Sequence, residues 1–429
     1  MSEAKISYSP RARAWQAFKE NRLALFALRF TGVLVLIALL ADFLAYNKPI
    51  VASYQGEVIW PIFRDYWEAL TGRPQWPGPL RVADWRVLPV DWALWPPVRY
   101  TPEELDLRNA PAVGPFDEQI TRSTAERHWL GTDNLGRDLL AGLIHGTRIS
   151  LSVGLVSVGI SAILGILLGA LAGYFGDNTL QVSRASLIFG IPALFLGLYY
   201  GFYLRRYALG EALSESFFSF LGSLGTSLLV AATVTTLFWL PSRLLKKTPW
   251  GAKPLYLWID ISISRLIEIM ISLPTTLLIF TIAAIAKPSL FLVMAVIGLT
   301  SWTGIARFMR GEMLKVRQLD FIQAARALGY ADLRIIFVHA LPNAFAPVLV
   351  SIAFGIASAI LVESGLSFLG IGVPPETVTW GSLLASARSA TGAWWLAIFP
   401  GLAIFLVVTL FNILGEGIRD AIDPKLQQR

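Results

Sequence analysis

The chain has 429 residues, 55% of them hydrophobic and 15% charged, with a mean hydropathy of +0.58, whereas a soluble domain carries roughly 25% charged residues. This balance excludes an ordinary soluble enzyme and predicts an all-α, polytopic membrane protein. Cysteine is absent and the histidines, His128, His145 and His339, are far apart in sequence, so disulfide frameworks, thiolate metal sites and clustered-histidine chemistry are excluded, and the formal charge of +7 reads as the Lys/Arg bias of cytoplasmic loops rather than as a nucleic-acid footprint.

Residues 1–22 hold Lys5, Arg11, Arg13, Lys19 and Arg22 and predict a cytoplasmic N-terminal segment. The apolar run 23–46 is too long for a signal-peptide core and lacks a small-x-small cleavage site, so it predicts an uncleaved first span in which Arg29 snorkels or faces the bundle. Over 47–148 the hydropathy collapses into a Pro- and Trp-rich stretch with Trp60, Trp67, Trp76, Trp85, Trp92 and Trp95. A disordered linker is poor in aromatics, so this is expected to be a folded external subdomain, or one lying along the membrane surface, whose rings build a small core or an interfacial belt rather than stack on substrate. Within HWLGTDNLGRDLLAGLIHGTRISL, Gly131, Gly136 and Asp138 read as turn and cap residues, 139–144 as a short surface helix, and His145 as a hydrogen-bonded interfacial residue. The second span is predicted over 149–174.

Two further apolar runs, 187–204 and 217–240, are separated by a polar link around Glu211 to Ser216 and followed by a basic loop with Arg243, Lys246, Lys247, Lys253 and Arg265, which the positive-inside rule places in the cytoplasm. Arg205 and Arg206 are discordant, since the span count puts them outside unless the pair is re-entrant or interfacial. Runs 266–286, 290–306, 345–362 and 394–414 complete about eight spans; the last two are joined by the loop GLSFLGIGVPPETVTWGSLLASARSATGA, expected outside, and the tail EGIRDAIDPKLQQR is expected inside.

Between the sixth and seventh spans lies a polar, net-positive segment, 307–342. In its core, DFIQAARALGYADLRIIFVHALPN, helical spacing puts Phe321, Ala324, Ala325 and Leu328 on one face and Asp320, Gln323, Arg326 and Tyr330 on the other. Gly329 breaks this amphipathic helix, a second short helix runs from Ala331 through Asp332 to about His339, and Leu341-Pro342 is expected to stop it. The apolar face can lie on the bilayer, fold back on the bundle, or enter a groove of a cytoplasmic partner; the small Ala324, Ala325 and Ala327 favour the partner. No G-x-x-x-x-G-K-[ST] phosphate loop occurs, so the chain is not expected to bind or hydrolyse ATP. Glu268 and Glu363 are the carboxylates nearest membrane depth, although both fall near span ends. A membrane enzyme is disfavoured by the lack of clustered His, Cys or paired carboxylates, while a secondary transporter or channel working without an ATPase is the alternative to an energised permease.

The order QAARALG followed after nine residues by HALPN, with Ala324, Ala325, Gly329, His339, Leu341 and Pro342 on matching positions, resembles the cytoplasmic "EAA" coupling loop of ABC importer permeases. HWLGTDNLGRD with GTRISLSVGL, LSFLGIGVPPETVTWGSLL, and GIRDAIDPKL agree with it in order. Together these blocks resemble the C-type permease of the dipeptide/oligopeptide importers, and the long loop after the first span is similar to microcin-uptake-type peptide permeases. The resemblance implies a type I ABC importer permease core of six transmembrane helices, with 266–429 as its main part, an inserted helix pair at 187–240 and an enlarged external loop. It implies ATP-driven import of peptides, or of nickel chelates as the nearest alternative, across the bacterial inner membrane, with both termini cytoplasmic. The implied partners are cytoplasmic ABC ATPase subunits carrying ATP-Mg, a second permease chain, an external substrate-binding protein and the lipid bilayer, with no cofactor on this chain. Phe321, Gln323, Ala324, Ala325, Leu328, Gly329, Asp332, His339, Leu341 and Pro342 would make the ATPase-coupling contact; Gln323 stands where the family has Glu, so the contact must work without that charge. Glu363, just before the external loop, is expected at the outer mouth of the pathway, receiving a peptide N-terminus.

Overall fold

The computed structural model describes residues 10–76, 80, 83–215, 217–285, 287–374, 376–390 and 392–422; Ser216, Ala286 and the tail 423–429 lie outside the described residues. The chain divides into two compact units, residues 1–170 with 266–429, and residues 171–265.

The first unit begins with α1 (Pro10–Glu20) and α2 (Arg22–Leu39). Asn21 separates them because its Oδ1 accepts from the backbone N–H of both Leu23 and Ala24 at 3.1 Å, satisfying two of the donors that a helix start leaves open. After α3 (Ala41–Leu44), strands β1 (Val51–Tyr54) and β2 (Glu57–Ile59) form a hairpin, followed by α4 (Pro61–Thr71) and β3 (Trp92–Leu94). Gln55 and Gly56 close the hairpin with φ of 53° and 82°, the double left-handed turn that matches strand twist. The antiparallel sheet has order β2-β1-β3, with Ala52 opposite both Ile59 and Ala93. Trp76 and Trp85 meet edge-to-face at 5.4 Å over Ala52 and Ile59, so two of the six tryptophans singled out above form a small core, while Trp60, Trp67 and Trp92 are exposed.

Helix α5 (Leu139–Phe175) is continuous over 37 residues. The expected surface helix over 139–144 is its first turns: Asp138 Oδ1 accepts from Ala141 N–H at 2.7 Å, and no proline interrupts the hydrogen-bond ladder that starts there.

In the second unit, β4 (Gln181–Ser183) leads into α6 (Arg184–Leu198) and a π turn over Tyr199–Tyr203; α7 (Arg206–Glu215), α8 (Phe217–Trp239), α9 (Pro241–Leu245), α10 (Pro249–Ala252) and β5 (Pro254–Tyr256) follow. Most of the polar link expected around Glu211 to Ser216 is therefore helical. Helices α6 and α8 form a close hairpin, since a Cβ on Gly197 would lie 2.0 Å from Thr235 Oγ1 and one on Gly201 2.6 Å from Ala231 Cβ. Of the discordant arginines, Arg205 is bonded to α8, while Arg206 is exposed and stacks on neighbouring tyrosines. Arg205 donates to Ser227 Oγ (3.0 Å) and Thr226 Oγ1 (2.7 Å), and the Arg206 guanidinium sits 4.6 and 4.8 Å from the ring centres of Tyr203 and Tyr207.

The chain continues through α11 (Ile259–Ser272), α12 (Thr275–Ile285) and α13 (Leu290–Val316). The run 266–286 is not one straight span: α11 and α12 bend by 75° at a break holding Leu273 and Pro274, whose ring lacks an N–H and pushes the preceding residue out of the helical region. Then come α14 (Asp320–Ala327), α15 (Asp332–Arg334), a π turn over Ile335–Ala340, α16 (Leu341–Phe368), α17 (Trp380–Ser386) and α18 (Trp394–Ile422). Among the described residues seven helical stretches are long and apolar enough to cross a membrane, or eight if the bent pair is one span, in line with the sequence count.

Small residues let the spans of the first unit approach closely. A Cβ on Gly169 would lie 2.4 Å from the Ala306 carbonyl, and one on Gly417 2.3 Å from Ala24; Ser161 Oγ donates to the Gly298 carbonyl at 2.8 Å. Because Gly417 meets Ala24, and Arg419 lines one cavity with Phe308 and Pro347, the start of α2, the end of α18 and the segment between α13 and α16 share one end of the bundle. At the opposite end Trp395 Nε1 donates to the Thr132 carbonyl and Asn134 Nδ2 to Ser389 Oγ, both at 3.0 Å.

Candidate functional site

The segment between α13 and α16 is built by three local devices. First, α14 starts after Leu319, which offers no side-chain cap, so Asp320 in the first turn supplies the negative charge that a helix N-terminus favours. Second, α14 ends as the glycine predicts. Gly329 has φ +76°, its N–H donates to the Arg326 carbonyl (2.9 Å), and the Tyr330 N–H donates to the Ala325 carbonyl (3.2 Å), the paired bonds of a Schellman stop. Third, Tyr330 stacks on His339 at 6.1 Å and 15°, with the Arg334 guanidinium 4.9 Å from the Tyr330 ring centre, bracing the turn against the following helix.

Two expectations are corrected here. Leu341-Pro342 does not stop the second helix. The backbone stays helical from Asp332 to Phe368, widening to a π turn over Ile335–Ala340 in which the Leu341 N–H donates to the Ile336 carbonyl. The wider turn accommodates Pro342, which has no N–H to give and sits in the first turn of α16, where none is required. The face expected to meet a partner also changes by one residue, because Ala325 turns inward. Ile322 and Ala325 are buried, and α14 packs on the π turn, whose Ile335, Ile336 and Ala340 are buried too, whereas Phe321, Ala324 and Leu328 are exposed. Period alone cannot choose between adjacent apolar stripes; the π turn, eight or more residues further on, decides.

Among the exposed residues of the segment is an apolar stripe. Phe321, Ala324 and Leu328 recur at helical spacing along α14, and Leu333, Phe337 and Val338 on the following turns are exposed as well; Leu328 retains 73% of its accessible surface. Leu333, Phe337 and Val338 were missed by sequence reading, although Leu333 and Phe337 stand four apart in a segment otherwise rich in charge. Asp332 lies in the first turn of α15, and His339 and Leu341 are half-buried. Gln323 turns back on the preceding helix, its Nε2 donating to the Arg317 carbonyl at 3.0 Å. A carboxylate has no proton to donate there at neutral pH, so the amide makes a contact that a Glu at this position cannot.

Glu363, expected to receive a peptide N-terminus, is closed off from solvent within the chain. It is fully buried in α16, with Ser367 Oγ donating to Oε1 at 2.6 Å and Ser364 Oγ 3.5 Å from Oε2. Close by, α17 begins with a reciprocal cap between Thr379 and Ser382, and a Cβ on Gly381 would lie 2.5 Å from the Ser364 carbonyl. Sequence placed Glu363 near a span end and missed that α17 folds back over it.

At the opposite end of the bundle the chain 106–138 closes on itself. His128 is fully buried, its Nδ1 2.7 Å from Asp138 Oδ2 and its Nε2 3.4 Å from Asp106 Oδ2, and its ring stacks on Tyr100 at 4.2 Å. Burial alone would raise the Asp106 carboxyl, but hydrogen bonds from Arg108, Asn109 and His128 outweigh it and hold the group below the ordinary carboxylate range. Gly136 (φ +77°) touches this network so closely that a Cβ would lie 2.1 Å from the Asp106 carbonyl oxygen. Among the described residues no group of three or more His, Cys, Asp or Glu has the geometry to hold a metal ion.

Comparison with known proteins gives two matching family models. Residues 253–428 match the binding-protein-dependent transport system inner membrane component, and residues 9–56 match the N-terminal transmembrane domain of oligopeptide transport permease C. The di/tripeptide transport system permease protein DppC of Pseudomonas aeruginosa is 35% identical over 302 residues, which cover 70% of this chain and 73% of that protein. The peptidoglycan transport system permease protein YejE of Agrobacterium fabrum is 28% identical over 96% of this chain and 92% of its own length. The inner membrane ABC transporter permease protein YejE of Escherichia coli is 27% identical, with 96% of both chains aligned.

Proposed function

Because this chain belongs to the permease family of binding-protein-dependent ABC transport systems, we propose that it is a membrane subunit of a peptide importer whose 320–343 segment docks an ATP-hydrolysing subunit. The observation that carries this reading is the exposed apolar set on α14 and the π turn. The segment buries Ile322, Ala325, Ile335, Ile336 and Ala340 within the chain, yet leaves Phe321, Leu328, Leu333, Phe337 and Val338 uncovered by it, as a helix awaiting a groove does. The Schellman stop at Gly329 and the Tyr330–His339 stack fix the direction of α14, so displacement of a docked partner is passed to α16 through a continuous helical backbone rather than absorbed by a loop.

The rest of the assembly follows from the same family. ATP-Mg is held by two ATPase chains, a second permease completes the pathway, and an external binding protein delivers cargo. The basic residues that flank the docking segment, Arg307, Arg310, Lys315 and Arg317, favour a cytoplasmic position, and the start of α2 and the end of α18 share that end of the bundle. Peptide is the cargo class because relatives named for di/tripeptide, dipeptide and glutathione transport share it.

The chain contains no cysteine, which makes the test direct. L328C is expected to crosslink to the ATPase subunit in the assembled transporter, and L107C, equally exposed at the opposite end, is not. An assembled, active transporter in which L328C gives no crosslink would remove the docking assignment.

A further inference from the structure

The second unit carries a feature that the importer reading does not use. One end of the α6/α8 hairpin is closed by a folded platform rather than by a loose loop. Strands β4 and β5 pair with Val182 opposite Leu255, Thr248 Oγ1 accepts from the Gly251 N–H at 3.1 Å, and a Cβ on Gly251 would lie 2.1 Å from the Leu245 carbonyl oxygen. Residues 240–256 of this platform contain Arg243, Lys246, Lys247 and Lys253 and no Asp or Glu. All four cations are exposed. Three of the cations at this end stand over indole rings: Arg243 and Lys246 lie 5.8 and 5.4 Å from the Trp239 ring centre, and Arg184 lies 5.6 Å from that of Trp250. Trp250, Trp258 and Leu244 are themselves exposed.

We propose that this platform binds the phosphodiester headgroups of anionic phospholipids in the leaflet it faces, anchoring the hairpin in the bilayer. The platform is continuous with a lipid-facing surface, since only 6% of the most apolar window of Leu221–Leu245 is buried within the chain. Exposed tryptophans and leucines beside cations belong at headgroup depth, where the indole bodies meet acyl carbonyls and the cations meet phosphates. A soluble polyanion or an acidic protein would use the cations and leave Trp250, Trp258 and Leu244 in water. Cation–π stacking holds Arg184, Arg243 and Lys246 in place, so a headgroup meets charges that are already positioned.

The experiment counts lipids, not transport, so its outcome is independent of the importer reading. The full-length chain is purified with equimolar phosphatidylglycerol and phosphatidylcholine, and retained lipid is measured by native mass spectrometry. Wild type is expected to retain phosphatidylglycerol preferentially, and R243Q/K246Q/K247Q/K253Q to lower that preference by at least about tenfold. The charge-preserving R243K/K246R/K247R/K253R is expected to keep it, as is R73Q/R122Q/K287Q/K315Q, which removes four exposed cations outside this unit. Equal retention of both lipids by wild type, an unchanged preference in the platform variant, or an equal loss in the control variant would overturn the proposal. Excess inorganic phosphate is expected to leave the preference intact; displacement by phosphate would show a soluble-anion site and overturn the lipid assignment.

Discussion

At one end of the first unit the chain buries polar groups and satisfies them itself; at the other it leaves apolar groups uncovered. Around His128, the side chains of Asp106, Asn109, Thr132 and Asp138 are buried and paired within the segment. Around α14, Leu319, Phe321, Leu328, Leu333, Phe337 and Val338 are exposed. A buried polar network specifies one local structure and loses much when a member is disturbed. An exposed apolar stripe adds little to the stability of its own chain and is explained by what covers it.

Two glycines with nearly equal backbone angles put this contrast to its strongest test. Gly136 and Gly329 have φ of 77° and 76°, so alanine at either carries the same left-handed strain of roughly 1–2 kcal/mol. Only at Gly136 does the new methyl also collide with backbone, 2.1 Å from the Asp106 carbonyl oxygen, whereas a Cβ on Gly329 would meet nothing within 4 Å. G136A is expected to lose about 4 kcal/mol or more and to fail to accumulate as folded protein, while G329A lowers the melting midpoint only slightly. Equal midpoint shifts for the two variants would mean that the closure around His128 is not the stabilising element.

The second effect reverses the ranking. L328D places a charge on a side chain that touches little of its own chain, so stability is expected to stay within about 0.5 kcal/mol. Association with the ATPase subunit, read by co-purification, is expected to weaken by about 2 kcal/mol or more, roughly thirtyfold. A variant that melts early and still binds would assign Leu328 to folding rather than docking.

Acid should loosen the His128 end. Asp106 titrates lower in the folded chain than in the unfolded one, so the unfolded state binds the proton first. The stabilisation from ionised Asp106 is therefore complete above the ordinary carboxylate range and lost as pH falls below about 4 towards the depressed folded value. Melting midpoints followed from pH 7 downward are expected to fall more steeply below about pH 4 in wild type than in D106N; parallel curves would remove Asp106 from the network.

How legible these regions are in sequence follows from how local their causes are. The α14 helix, its stop at Gly329 and the cap at Asp138 are set by residues within one or two turns, and sequence reading finds them. The choice of Ile322 over Phe321 for burial depends on the π turn at 335–340, and the burial of Glu363 depends on α17 folding back, neither of which a periodic pattern encodes. Pro342 is ambiguous for a physical reason, since a proline that stops one helix and a proline in the first turn of the next lack the same N–H. His128 lies 22 residues from Asp106 and 10 from Asp138, a spacing that carries no local signal.

The smallest effect bears on Gln323, where the family resemblance leads one to expect Glu. Gln323 Nε2 donates to the Arg317 carbonyl at 3.0 Å in an exposed setting, and such a bond contributes about 0.5–1.5 kcal/mol, here at the low end because water can replace it. Q323A loses that bond and nothing else. Q323E loses it too and sets a carboxylate against a carbonyl oxygen, yet restores the family's charge on the segment. If the amide's role is to pin α14 to the end of α13, both variants should lower ATPase association by a similar factor of about two to three. If the partner's groove instead retains a site for the acidic residue, Q323E should bind at least as tightly as wild type and only Q323A should weaken. Titrating the ATPase subunit against the reconstituted permease distinguishes the two. The pinning role predicts the first result, because Gln323 is turned towards α13, away from the exposed stripe of Phe321, Ala324 and Leu328 that the proposed docking would use.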